Sequence, residues 1–269
     1  MNKLVLLISS IFLLSFCYSQ DDAFVVKPIL VISESNTSFY SKDATVFALY
    51  NNREIIYRKL DSENSMDYKK VIVDSTEYAD LLALLKDAKF FNYEAEYDLG
   101  AMGSASHQTS VSLHSFLGRY PVKITVEEDI GNILVGAYYR KRLAPDSGVD
   151  EAYEPLSKYL LPGKLYEVFE RLISFEHAKE EVYVPEKIEI SVFPGRGKCE
   201  QKWPSKWAID ELTISGTPSA GFLTINPPNR EFMNDLIEEA SHKCVVRVGK
   251  RKYLTDFRLV LPFEEYWKD

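Results

Sequence analysis

Thr45-Val-Phe-Ala-Leu-Tyr-Asn-Asn-Arg-Glu-Ile-Ile-Tyr-Arg58 is two runs of β-branched and aromatic residues on either side of a polar break. Such residues fit a pleated, half-buried surface, and Asn51-Asn52 tolerates the positive φ of a tight turn. The stretch therefore predicts an antiparallel hairpin. Upstream, Ile29-Leu-Val-Ile32 after Pro28 predicts a first strand, and downstream Lys69-Lys-Val-Ile-Val73 predicts another. Then the period changes. Asp74 or Ser75 caps a helix running to about Ala88, because Tyr78, Leu81, Leu82 and Leu85 recur three and four residues apart on one face. A stripe of that width needs a sheet to lie on.

The pattern repeats further along. Phe90-Phe-Asn-Tyr93 leads into a glycine- and serine-containing loop over residues 94–106. Residues 109–113 and 121–126 form a second hairpin around Leu117-Gly118-Arg119, with Val111, Leu113, Val122, Ile124 and Val126 marking one buried and one wet face. Residues 131–162 are less regular. Leu165, Val168, Phe169 and Leu172 return to helical spacing within residues 165–175. Beyond a polar junction at 176–181, strands are expected at 182–184, 188–192 and 222–225, a helix at about 230–241, and a last hairpin from 244–248 with 253–261. The expected class is α+β, with mostly antiparallel sheets each packed by a few helices, as two similar lobes or one continuous domain. The boundaries drawn are 1–19, 20–178 and 179–269.

Residues 1–19 read as an export signal: Lys3 precedes an apolar run from Leu4 to Phe16, and small residues at Cys17 and Ser19 precede a cut ahead of Gln20. About thirteen apolar residues are too few to cross a bilayer, which takes about twenty. Leu14-Ser15-Phe16-Cys17 also resembles a lipobox, which would tether the product through Cys17, but Phe16 stands where that pattern has a small residue. A free product beginning at Gln20, periplasmic or extracellular, is the preferred expectation. No later stretch has the length and apolarity of a spanning helix, so no integral membrane span is expected.

The chain carries 32 basic and 40 acidic residues, a net charge of −8. Losing Lys3 with the signal leaves 31 against 40, or −9. Such a surface repels nucleic acid, which needs a concentrated basic face. The one basic cluster, Lys250-Arg251-Lys252, sits between two β-like runs as a hairpin tip. With Cys17 in the signal, the mature chain keeps two cysteines, Cys199 and Cys244, and an oxidising compartment predicts that they pair. There is no Cys-x-x-Cys, and His107, His114, His177 and His242 do not fall at zinc-site spacings. No metal or cofactor is expected.

Catalytic patterns are weak. Gly103-Ser-Ala-Ser-His107 does not fit Gly-x-Ser-x-Gly, and adjacent Ser106 and His107 point to opposite faces of an extended chain. Gly195-Arg-Gly-Lys198 lacks the earlier glycine of a phosphate loop and has Cys199 where that loop has Ser or Thr. Glu127-Glu128-Asp129 and Glu264-Glu265 offer paired carboxylates, which glycoside hydrolysis needs at a set separation. The pointer toward binding is aromatic: Trp203 and Trp207, with Arg196 nearby, can present rings to a ligand, although covering the core of the second sheet is the preferred reading for both rings.

Residues 45–175 resemble a family of uncharacterised bacterial secreted domains. The resemblance is carried by residues 46–58, Ile72-Val-Asp-Ser75, residues 81–91 and residues 110–126. It implies an α+β fold and a cell-envelope setting, and no chemistry. The functional expectation is an exported, non-catalytic domain that binds a protein or a glycan. The alternatives are a hydrolase with a dispersed carboxylate pair and an acidic immunity or inhibitor protein.

Overall fold

The computed structural model describes residues 25–36, 44–59, 67–99, 108–129, 160–194, 200–202, 221–225, 245–248 and 251–267. In chain order the elements are β1 (Pro28–Asn36), β2 (Ala44–Tyr50), β3 (Glu54–Arg58), β4 (Tyr68–Ile72), α1 (Ser75–Ala88), a 3-10 turn (Phe90–Asn92), β5 (Glu96–Asp98), β6 (Gln108–Ser115) and β7 (Val122–Asp129). They continue with α2 (Gly163–Ile173), β8 (Glu181–Val182), β9 (Lys187–Pro194), β10 (Glu200–Lys202), β11 (Gly221–Ile225), β12 (Val245–Val248), β13 (Arg251–Val260) and a closing 3-10 turn (Glu264–Tyr266). The fold is α+β. An eight-stranded sheet runs β5-β7-β6-β1-β2-β3-β4-β8, and a five-stranded sheet runs β10-β12-β13-β9-β11. Among the described residues every ladder is antiparallel except β5 with β7 and β10 with β12. No described helix is long and apolar enough to cross a membrane.

The hairpin that opens the argument is present, with Phe47 opposite Tyr57 and Leu49 opposite Ile55. Its turn differs from expectation. The loop has three residues, 51–53, and the positive φ falls on Arg53, at 69°, whose N–H donates to the Tyr50 carbonyl at 3.1 Å. A three-residue loop closes with its third residue left-handed, which leaves the asparagine side chains for other bonds. Asn51 Oδ1 accepts from Lys27 N at 2.9 Å and its Nδ2 donates to Val25 O at 3.0 Å. Asn52 Oδ1 accepts from Glu54 N at 3.1 Å.

Asp74 caps α1, its Oδ1 accepting from Thr76 N and Glu77 N at 2.9 Å each. Those two backbone bonds hold its carboxyl below the usual range. The helix ends where Lys89 turns left-handed, at φ 50°. Leu81, Leu85 and Ala88 are buried, as are Leu165, Val168, Phe169, Leu172 and Ile173 of α2. These stripes join one core with Leu30, Ile32, Phe47, Leu49, Ile55, Tyr57, Val71, Val111, Leu113, Ile124 and Val126. Both helices therefore lie on one face of the larger sheet. Lys164 adds a bond between them, reaching Asp87 at 3.1 Å while also pairing with Glu167 at 3.0 Å.

The other face of that sheet is also covered. Val31, Ala48, Tyr50, Ile56 and Tyr68 alternate with the first set and are buried, as are Tyr183, Ile188, Leu259 and Leu261. Tyr50 Oη donates to Pro262 O at 3.1 Å, and its ring lies 6.4 Å from that of Phe263. Burial on both faces changes the expected wet side of the second hairpin. β7 alternates as read, Lys123 and Glu127 exposed against buried Ile124 and Val126, whereas His114 of β6 is buried at 8 % exposure. One strand lies where the sequence reads as loop: β5, within 94–106, pairs in parallel with β7 through Glu96 to Thr125 and Asp98 to Glu127. The expected helix at 230–241 and the irregular stretch 131–159 lie outside the described residues.

Candidate functional site

Antiparallel pairing sorts the connections of the larger sheet by end. At one end β1, β3 and β7 begin and β2, β4 and β6 finish, and β5 begins there because it runs parallel to β7. That end gathers the lead-in 25–27, the turn 51–53, the cap 73–74, the stretch 89–93 and the turn 116–121. Helix α1 runs across it. It starts beside β4, Tyr78 Oη reaches Asn51 O at 3.4 Å, and the 3-10 turn that follows leads into β5 at the opposite edge. Its 14 residues span about 21 Å, or about four strand spacings.

Apolar side chains stand out at this end. Tyr120 is 70 % exposed and Phe91 77 %, with Ile72 at 62 % and Val25 at 56 %, and no other large apolar side chain among the described residues is as exposed. Local geometry explains two of them. The left-handed turn at Lys89 keeps Phe90 on the buried stripe of Leu81, Leu85 and Ala88 and rotates the next residue, Phe91, outward. In the β6–β7 turn the Arg119 guanidinium sits 5.6 Å from the centre of the Tyr120 ring, within reach of a cation–π contact. Lys27, Arg53, Lys89 and Arg119 are exposed on these connections and Lys123 is exposed near the start of β7, on a chain whose net charge is −8. The asparagine bonds to Lys27 and Val25 fix the lead-in.

A second polar cluster lies where 176–181 follows α2. Tyr57 Oη donates to Glu180 Oε2, and Lys59 Nζ donates to Glu180 Oε1 at 2.8 Å. His177 Nε2 lies 3.3 Å from Glu77 of α1, its Nδ1 accepts from Lys179 N at 3.1 Å, and its ring stacks on Phe175. Burial pushes the Tyr57 phenol up, and the bond to Glu180 pushes it further. Burial also works against the Glu180 carboxylate, but the hydrogen bonds from Lys59 and Tyr57 outweigh it and leave that carboxyl below its usual range. A phenol whose proton is held this firmly, on a side chain 2 % exposed, is unsuited to acid–base work near neutral pH. The cluster fastens the segment after α2 to β3 and α1.

A pH dependence follows, and its sign is fixed by the downward shift. The stability that Glu180 contributes is present above the ordinary glutamate range, about pH 4.3, and is lost as pH falls through its lower folded value. Glu180→Gln should lower the melting temperature at pH 7 and narrow the gap from wild type below about pH 4. Thermal melts at both pH values check this; an unchanged gap on acidification would remove Glu180 from the account.

Of the residues marked in the sequence, Cys199, Cys244, Trp203, Trp207, Arg196 and Cys17 lie outside the described residues, as do Gly103-Ser-Ala-Ser-His107 and Gly195-Arg-Gly-Lys198. The carboxylate pair Glu264-Glu265 does not converge. Glu264 is buried, with Oε1 accepting from Leu261 N at 2.7 Å, while Glu265 is exposed. Glu127 is exposed on β7. Among the described residues no group of three or more His, Cys, Asp or Glu side chains can hold a metal ion. The sequence reading passed over Phe91 and the Arg119-Tyr120 pair. The signal for Phe91 was available, since a stripe through Leu81, Leu85 and Ala88 accepts one of two adjacent phenylalanines and leaves the other outside. No family model matches the chain, and neither a curated protein nor a solved structure matches it.

Proposed function

We propose that the chain is an exported, non-catalytic domain that binds a protein or glycan partner at the cell envelope through the turn end of its larger sheet. The observation that carries this reading is the placement of Phe91 and Tyr120, each at least 70 % exposed, on connections brought to the same end of one sheet. Exposed aromatic rings cost free energy in water and anchor interfaces when covered. Arg119 beside Tyr120 adds a planar donor suited to carboxylates, phosphates and sugar hydroxyls. The signal-like residues 1–19 and the likeness to secreted domains supply the setting.

The test is capture from native envelope extract by wild type and by Phe91→Ala/Tyr120→Ala, with a purified peptidoglycan pellet as the glycan arm. Loss of an interface anchor costs about 1–2 kcal/mol, so the double variant should retain at least tenfold less of the captured partner. Equal capture by both proteins, or none by either, would sink the reading.

One observation favours the inhibitor reading. Glu96, Asp98 and Glu127 are exposed on the β5–β7 edge, with Asp98 directly opposite Glu127. An acidic edge of this kind attracts a basic partner by charge complementarity. Under that reading Glu96→Lys/Glu127→Lys slows association and makes it insensitive to salt, and the aromatic double variant binds as wild type.

A further inference from the structure

The connections at the turn end of the larger sheet repeat one pairing of side chains. Lys89 comes with Phe91, Arg119 with Tyr120 and Lys27 with Val25, each pair within a single connection. Arg53 comes with Ile72, whose neighbour Val73 donates its N–H to Arg53 O at 3.1 Å. Every one of these side chains is exposed. Strand order sets the pairs in a line: from β5, the stretch 89–93 comes first, the β6–β7 turn second, the lead-in to β1 third, and the β2–β3 turn with the end of β4 fourth. Phe116 N donates to Ile29 O at 2.8 Å and Asn51 N to Lys27 O at 3.0 Å, so the last three adjoin. At about 4.8 Å per strand the line runs about 25 Å.

The charge of this line is available to a ligand. Arg58, Lys59, Lys69, Lys70 and Lys164 each pair with a carboxylate, whereas Lys27, Arg53, Lys89 and Arg119 form no ion pair among the described residues. The acid on these connections is Asp74, and its Oδ1 already accepts from Thr76 N and Glu77 N. Glu94 and Glu96 lie past the first connection, toward the β5 edge.

We infer that this line binds a linear acidic polysaccharide whose sugar rings carry carboxylates. The inference rests on the proposed function and narrows its partner to one class of glycan. A sugar acid presents an apolar C–H face and a carboxylate on one ring, the complement of an apolar side chain beside a cation. A line one connection wide, repeating that pair, suits a chain that repeats its unit, whereas a globular protein or a bilayer meets an area. In a phosphate-linked polymer the charge lies in the linkages and not beside the ring faces.

The test measures binding to polygalacturonate, to the same polymer fully methyl-esterified, to polyglutamate, and to vesicles of phosphatidylglycerol and phosphatidylcholine. Wild type should prefer polygalacturonate to each of the others and should release it as salt rises, since exposed charges are screened. Lys27→Gln/Arg53→Gln/Lys89→Gln/Arg119→Gln should bind it at least about tenfold more weakly. Phe91→Ala/Tyr120→Ala should also weaken it. All of these changes are at exposed positions, so melting temperatures should stay near wild type and show that the losses are local. Equal binding of the methyl ester, or wild-type binding by the quadruple variant, would overturn the inference. So would polyglutamate binding as tightly, which would mean charge without ring recognition, or vesicles binding more tightly, which would mean a bilayer. Failure to bind polygalacturonate overturns it as well. The proposed function survives that failure if envelope extract still yields a partner dependent on Phe91 and Tyr120, and falls with it if nothing is captured.

Discussion

Phe47→Ala will lower the unfolding free energy by about 3–5 kcal/mol, the usual cost of deleting a buried phenylalanine ring. Phe47 is fully buried in β2, a strand with neighbours on both sides and a layer on both faces. Its ring meets Phe175 edge-on at 5.6 Å, Phe175 meets Tyr57 at 5.1 Å, and Tyr57 is the cross-strand partner of Phe47. Removing it empties a space lined from β1, β3 and the segment after α2, and rings held edge-to-face collapse into such a space poorly. Since a domain of this size has about 5–15 kcal/mol in total, the midpoint in urea should fall by about a fifth or more. Phe47→Leu keeps most of the volume and should cost less than half as much. Equal losses for the two variants would mean that the edge contacts, and not the volume, carry the effect.

Tyr50→Ala has an effect of similar size, about 3–5 kcal/mol, and a different consequence. Tyr50 is also fully buried, but on the face away from the helices, where its phenol donates to Pro262 O and its ring adjoins Phe263. Burial pushes that phenol well above the ordinary tyrosine range, with Tyr183, Glu54 and Glu264 adding to the shift, so it is a donor near neutral pH. Tyr50→Phe deletes the one bond and keeps the ring, at a cost of about 1 kcal/mol. The alanine variant removes the surface on which residues 261–267 rest. Limited proteolysis should therefore cut the C-terminal segment of Tyr50→Ala before the larger sheet unfolds, while Tyr50→Phe stays intact. Simultaneous cleavage throughout the chain would show that this segment has no separate stability.

What the sequence discloses is local, and what it withholds is pairing between distant segments. The hairpin of β2 and β3, the Asp74 cap and the stripe of α2 follow from spacing, because each depends on residues a few positions apart. That β1 lies between β2 and β6 depends on Val31 meeting both Ala48 and His114, which no periodicity records. His114 reads as a wet position for the same reason: alternation gives the face, and only what packs on that side from elsewhere in the chain decides whether the face is dry. β5 escapes notice because three residues, Glu96-Tyr97-Asp98, are too short to show a period. The candidate site was least legible of all. Phe91 and Tyr120 stand 29 positions apart and are brought to one end only through the direction of β5 and β7. Asn51 and Asn52 were read correctly as a turn, but which residue takes positive φ is set by loop length, and the three-residue loop gives it to Arg53.

The return of residues 259–264 to the second face of the larger sheet sets an order on how the molecule is completed. A ribosome delivers this chain from its N-terminus, so Val31, Ala48, Tyr50 and Ile56 emerge some two hundred residues ahead of Leu259, Leu261 and Phe263. Until those residues arrive, that side of the sheet lacks part of its cover and remains an adhesive surface for chaperones or for another nascent chain. Closure of that face is thus deferred until residues 259–264 have emerged, some two hundred positions behind the strands they cover.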